Sequence, residues 1–480
     1  MTSYDVRFWD IKKRNDGRSR PYRLRWAVGG REREEYFATK GLADSFRAKL
    51  MIAARAGEPF DVKSGLPDSM LGGKHTRSWY AHACAYAEMK WPTAAAKSRR
   101  AIAEALATVT PALVGSARGG PDPAGLHRAL LTYAFNPSTR GTEPPADIAS
   151  ALRWIEAASL NLADLGNTET IRVALNACAL TKSKKAAAAT TSRRKRAVLY
   201  NALRYAVELG LLESNPIDKV QWKAPEVAKT VDRRVVANAD QVRALLSAVR
   251  SQGRRGEHLV AFFGCLYYAG MRPSEALALR VGSCVLPAAG WGRLDLSASS
   301  PSAGARWTDD GSPRDERGLK RRGEKETRSV PIPPELVQLL REHVDRFGAG
   351  PDGRLFRSQR EGAVQDSAYA TTWRRARQEI LTPAQAASPL ARRPYDLRHA
   401  AVSLWLNAGV PATEVARRAG HGVDVLLRVY ANCIDGQEWE ANDRIAEALG
   451  AVPRGGHRGR LDDVPAGASR AEPPSEEGAQ

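Results

Sequence analysis

Apolar and polar residues alternate along the first part of the chain. Residues 4–11 (YDVRFWDI), 22–28 (YRLRWAV) and 32–38 (EREEYFA) alternate or carry β-forming side chains, with Gly-rich or basic turns between them. Each predicts a strand, and together they predict a meander. The pattern then turns helical over about 42–56. From His75 to about Ala224 it stays helical and Ala-rich, with Gly/Pro-rich breaks at 114–125 (VGSARGGPDPAG) and 136–145 (NPSTRGTEPP). Residues 197–212 (AVLYNALRYAVELGLL) repeat apolar positions at helical spacing, and NPID at 215–218 ends that helix. Residues 225–236 (PEVAKTVDRRVV) read as an exposed linker. The segment from about 237 to 450 mixes helices with a short strand group. Residues 451–480 are rich in Gly, Pro and charge without periodicity, and are expected to form a disordered tail. The expected fold is therefore multidomain α+β. Residues 1–70 form a small three-stranded sheet plus helix, 74–224 a helical domain, and 225–450 a mainly α domain with a small β-sheet.

Composition adds a partner class. A chain of 480 residues suits two to four domains, and a hydrophobic fraction of 43% is enough for real cores. Lys and Arg number 73 against 53 Asp and Glu, a formal net charge of +20. Such an excess favours a polyanion, although anionic membranes also attract basic proteins. No apolar run approaches the roughly 20 residues a spanning helix needs, and the first residues, MTSYDVRFWDIKKR, have no signal-peptide core. A cytoplasmic protein with no membrane partner is expected. The cysteines Cys84, Cys178, Cys265, Cys284 and Cys433 are scattered without C-x-x-C spacing, so neither a metal site nor a cofactor is expected.

The positive charge is clustered. In the first sheet Arg7, Lys12, Lys13, Arg14, Arg23 and Arg25 interleave with Trp9, Tyr22 and Trp26. This suits a DNA-contacting sheet as well as an ordinary sheet with a solvated basic side. Lys182, Lys184 and Lys185, then Arg193, Arg194, Lys195 and Arg196, flank Thr190, Thr191 and Ser192. A charge run is usually a solvated face, but two such runs in so basic a chain suit phosphate contact.

Four sites in the last segment matter jointly. AGMRPSEALALR (269–280) places Arg272 at a Gly/Pro-bounded helix start with Glu275 one turn later. LKRRGEKETRSVPIP (319–333) is a basic turn running into a strand. RRPYDLRHAAVSLWLNAG (392–409) is a helix carrying Arg398 and His399. RRAGHGVDVLLRVYANC (417–433) puts His421 nine positions before Tyr430. Singly, each has an ordinary reading. Arg-x-x-Glu is a helix-surface ion pair, a loop histidine is incidental, and a tyrosine in an amphipathic helix is core.

In this order and spacing the sites resemble the tyrosine recombinase (phage integrase) family, and most of all the integrases of phages and mobile elements in actinobacteria. The family pattern is an arginine, a hairpin lysine, H-x-x-R, then Gly-His with a tyrosine about nine residues on. The resemblance implies Arg272 and Arg398 as the two arginines, His421 as the late histidine and Tyr430 as the nucleophile. It covers the chain to about residue 450. It also implies an arm-type DNA-binding domain at 1–70, a core-binding domain at 74–224 and a catalytic domain at 225–450. One position departs. Tyr395 stands where H-x-x-R has its histidine, and His399 is out of register with it. A tyrosine with an ordinary pKa near 10 is a poor base at neutral pH.

The chemistry follows from the residue types. Tyr430 would attack a DNA phosphate and form a 3′-phosphotyrosyl ester. Arg272 and Arg398 offer permanently charged forks to the non-bridging oxygens, and His421 a further donor. A lysine protonates the leaving 5′-oxygen. The resemblance favours Lys320 over Lys325, because the family's matching lysine opens such a segment ahead of a basic turn. With Gly323 as the natural turn residue, Lys320 ends the incoming strand and Lys325 begins the outgoing one, and either could reach the DNA. The ester conserves the bond energy, so strand exchange needs no cofactor. The expected partners are double-stranded DNA attachment sites and further copies of the chain in a tetramer on DNA, with a host DNA-bending protein and a directionality factor as candidates. Two rivals remain: a type IB topoisomerase-like enzyme, and an inactive DNA-binding regulator on the same fold.

Overall fold

The structure is a computed structural model, and it describes residues 2–14, 19–67, 70, 77–115, 119–228, 230–319, 323, 326–358, 361–433 and 437–450. The tail expected at 451–480 lies outside the described residues.

Near the N-terminus the strand Tyr22–Val28 is central. It pairs antiparallel with Arg31–Phe37 on one side, and with Val6–Phe8 and Lys12–Lys13 on the other. The first predicted strand is thus broken at Trp9. Gly29 and Gly30, with φ of 52° and 78°, make the tight turn of the hairpin, where two positive φ values match the strand twist. Alternation turns Leu24, Trp26 and Val28 inward, where they meet Leu50 and Ala53 of the helix Lys40–Arg55.

Next come the helices Trp79–Lys90, Ala96–Val109, Ala146–Ala158, Thr168–Cys178 and Ala189–Glu208. They share a core that includes Trp79, Tyr86, Leu106, Ile155 and Leu203. The last of them begins at Ala189, ahead of the apolar repeat at 197. Its first turns are mostly polar, so hydrophobic periodicity does not mark them. The second basic cluster therefore lies on the helix rather than before it.

The last segment builds its core on the helices Ala239–Arg250, Gly253–Tyr268, Pro334–Phe347 and Asp366–Ile380. A three-stranded antiparallel sheet joins them, with Gly292–Leu296 between Cys284–Val285 and Arg328–Ile332. A smaller cluster holds Val402, Leu406, Val415, Leu426 and Tyr430. The linker expected to be exposed is partly docked there. Val231 is buried in this cluster, and its N–H donates to the carbonyl of Val429 at 2.7 Å. An isolated valine between charges carries no periodicity, so its burial was not predicted.

Residues 300–316, between the short strands Ala298–Ser299 and Arg317–Gly318, reach back to the helical core. Ala303 and Trp307 belong to that core. Arg99 grips the Asp309 carboxylate with both ends of its guanidinium, at 2.7 and 3.1 Å, and donates to the carbonyl of Trp307 at 3.0 Å. Asn136 donates to the carbonyl of Arg306 at 3.1 Å. The two segments are therefore strapped together by a loop as well as joined by the chain. Among the described residues no helix is long and apolar enough to cross a membrane.

Candidate active site

Glu275 organises the site. It lies in the short helix Pro273–Ala276, where Pro273 sets the first helical position and the Glu275 carboxylate reaches back to the Arg272 N–H at 2.8 Å. Far from making a surface ion pair, Glu275 is only 2% exposed. Its carboxylate accepts from Arg272 Nη1 at 2.6 Å and from Arg328 Nη2 at 2.7 Å, with Arg398 Nη1 at 4.0 Å. Burial pushes its carboxyl up, but the guanidiniums of Arg328, Arg272 and Arg398 overcome that and hold it at about 2. Three cations around one anion leave the pocket with excess positive charge.

The two predicted arginines differ in reach. Arg398, on the helix Asp396–Asn407, is fully buried. It donates to the carbonyls of Gly270 and Ala419 and to His421 Nε2, the last at 2.8 Å. Burial, followed by the neighbouring Arg272, lowers its pKa, yet a guanidinium stays charged at neutral pH. Arg272 is about one-fifth exposed, so its fork is the one open to a ligand. It donates to the Gly420 carbonyl at 3.1 Å and hydrogen-bonds Tyr395. Gly420 ends the helix Ala412–Ala419 with φ of 65°. A Cβ there would lie 2.2 Å from Arg328 Nη1, so both backbone and space call for glycine.

His421 follows that turn. Burial, then the charges of Arg398, Arg272 and Arg328, depress its pKa to about 3. It is therefore neutral at pH 7. With Arg398 donating to Nε2, the ring proton sits on Nδ1, and His421 positions Arg398 at rest.

Tyr430 ends the helix Val423–Tyr430 and is 1% exposed. Burial raises its pKa above the ordinary phenol range, so the hydroxyl keeps its proton at rest. The hydroxyl lies 2.9 Å from His399 Nδ1, and the Tyr430 and His421 ring centroids are 6.2 Å apart. Tyr395 stands edge-on to His399 at 5.1 Å. Arg272, Tyr395, Arg398, His421 and Tyr430 thus converge from three separate stretches of sequence. Lys320 and Lys325 lie outside the described residues.

Three contributors were missed or misjudged in the sequence. Arg328 follows the basic turn as the first residue of its strand and is 2% exposed. A charged residue opening a strand gives no sign of burial. Glu275, at the spacing of a surface ion pair, is buried instead. His399 was set aside as out of register, although it lies one helical turn after Tyr395 and so faces the same way.

The basic clusters divide. Arg7, Lys12, Lys13, Lys182, Lys184, Lys185, Arg193 and Arg194 are exposed. On the outer face of the first sheet Arg25 pairs with Glu32 at 2.6 Å, and Arg23 with Glu34 at 3.6 Å. Arg25 also lies over the Trp9 ring and Arg14 over Tyr36. Arg196 stacks over Trp222 at 4.4 Å. Lys195 leaves the set of candidate phosphate contacts. It is 5% exposed, and its ammonium donates to the carbonyl of Leu180 at 2.8 Å.

A buried tyrosine beside a pocket of excess guanidinium charge defines a centre suited to an anionic ester. Residues 236–435, which hold all these groups, match the model of the phage integrase family. An integrase of Streptomyces ambofaciens is 28% identical over 270 residues, covering 53% of this chain and 62% of the relative. The chain thus spans less than two thirds of that relative's length. Among solved structures, a Tn1549 transposon integrase in complex with a circular intermediate DNA is similar over 65% of this chain and 96% of its own, with 17% identity and a TM-score of 0.46. A lambda integrase tetramer bound to a Holliday junction is similar over 86% and 95%, with 12% identity and a TM-score of 0.43.

Proposed function

We propose that the chain is a site-specific tyrosine recombinase that cleaves and rejoins double-stranded DNA through a 3′-phosphotyrosyl bond at Tyr430, integrating phage or mobile-element DNA into a host chromosome. The observation that carries this reading is the convergence of four groups: Arg272 and Arg398 flank the buried Glu275, His421 meets Arg398, and Tyr430 lies beside His421. A phosphodiester brings one negative charge and gains more at the pentacoordinate stage. A pocket preorganised with surplus positive charge stabilises that gain. Arg272 meets a non-bridging oxygen, Arg398 braces the pocket from within, and Tyr395 steadies Arg272. Lys320 is assigned the proton for the leaving 5′-oxygen.

The division of labour along the chain belongs to the same proposal. Residues 1–70 contact distal arm sites, 74–224 grip the core site, and 225–450 carry the chemistry. The exposed Lys182, Lys184, Lys185, Arg193 and Arg194 suit the second role, because phosphate contacts fix position on DNA. The partners are attachment-site DNA and further copies of the chain in a tetramer, with a host bending protein and a directionality factor, in the cytoplasm.

The test uses a nicked duplex built from the DNA junctions that flank the gene. The protein should form an adduct that survives a denaturing gel, while Tyr430→Phe binds the duplex and forms none. An adduct surviving in Tyr430→Phe would reject Tyr430 as nucleophile.

A further inference from the structure

The mechanism proposed above leaves the Tyr430 proton without a destination. The arginines stay charged and accept nothing. His421 lends Nε2 to Arg398. Tyr395 holds the helix position at which the resembled family has its histidine, but it is bonded to Arg272 and is a phenol. The Tyr430 hydroxyl points elsewhere, to His399 Nδ1 at 2.9 Å. The His399 ring lies between Tyr395 at 5.1 Å and Tyr430 at 5.7 Å.

Resting on the strand-transfer reading of this site, we infer that His399 is the catalytic residue that accepts the Tyr430 proton. Residues four apart lie on one helix face, so His399 presents its imidazole to the same pocket as Tyr395. In cleavage the Tyr430 Oη–H bond breaks and the proton passes to Nδ1 while Nε2 keeps its own. The tyrosine oxygen bonds to phosphorus, the P–O5′ bond breaks, and that 5′-oxygen takes a proton from the general acid. Resealing reverses the order, and the imidazolium returns its proton to the departing Tyr430 oxygen.

The surroundings leave the ring unprotonated and resist its protonation until substrate charge offsets them. Burial keeps His399 neutral at rest, with a pKa near 4; Asp396 opposes this, while Arg398 and Arg393 reinforce it. Tyr395, Tyr430 and His421 also face the ring. A DNA phosphate bound at Arg272 adds negative charge nearby and favours the protonated ring as the reaction proceeds.

The experiment follows adduct formation by the full chain on the nicked attachment-site duplex. His399→Ala should bind the duplex as the parent does and cleave about 10²–10⁴-fold more slowly. Imidazole added to His399→Ala should restore cleavage in proportion to its concentration. His399→Asn, which keeps a hydrogen-bonding atom near Nδ1 but accepts no proton, should be as slow as His399→Ala. It also carries the test if His399→Ala fails to fold. Near-parent rates in His399→Asn would reduce His399 to a positioning residue and overturn the inference, as would a slow, DNA-binding His399→Ala that imidazole does not rescue. No adduct from the parent protein would instead sink the strand-transfer reading, and the role of His399 with it.

Discussion

Glu275 is the residue on which the site depends most. It binds two guanidiniums directly and faces a third, all within the protein interior. Removing its charge leaves those cations mutually repelling, which costs about 3–5 kcal/mol when a buried pair loses one partner. Glu275→Gln should therefore lower the urea midpoint by an amount corresponding to about that figure. A loss under about 1 kcal/mol would show that water or rearrangement replaces the carboxylate. At this scale the sequence disclosed the residues that converge in the pocket and concealed their supports. Arg272, Arg398, His421 and Tyr430 were legible because their spacing is shared with a family. Arg328 and Glu275 were not, because burial of an ion pair depends on distant elements and leaves no local mark. Lys195 shows the same limit in reverse: within a basic run nothing separates the one inward-facing lysine from its exposed neighbours.

At the scale of elements, the strap at 300–316 is the feature with the clearest mechanical role. Arg99 is 7% exposed, lies over the Trp91 ring at 4.6 Å, and holds Asp309 and the Trp307 carbonyl. Removing it leaves the strap held by the packing of Ala303 and Trp307 and by bonds from Asn136 to the Arg306 carbonyl and from the Ala96 N–H to Asp315. Arg99→Ala should raise amide hydrogen exchange across 300–316 and Ala96–Val109, and leave the buried helix Gly253–Tyr268 unchanged. Unchanged exchange in the strap would mean that packing of Trp307 suffices. The three-stranded sheet and most helices were readable because each buries one face and so keeps a period of two or of about 3.6 residues. The strap was not. It buries two apolar residues, Ala303 and Trp307, in a run of polar ones, and its partners lie some two hundred residues earlier in sequence.

Over the whole molecule, histidine burial sets the response to acid. His82, His127, His258, His343, His399 and His421 all have depressed pKa values with burial as the leading cause, His258 and His399 to about 4 and His421 to about 3. Unfolded, each binds a proton near pH 6.5. The unfolded chain therefore takes up more protons than the folded one as pH falls below about 6.5, and stability drops with acidification. The loss should accumulate between about pH 6.5 and about 3, read as a falling Tm, with full stability above the upper limit. A flat Tm across that window would contradict the neutral, buried assignments. The central claim is that Tyr430 becomes covalently joined to DNA inside the arginine pocket. The most direct measurement is mass spectrometry of the protease- and nuclease-trimmed adduct. The account predicts a nucleotide on Tyr430, in the peptide that follows Arg428, joined through a 3′-phosphate. A nucleotide on Tyr395 or any other residue, or attachment through a 5′-phosphate, would contradict it.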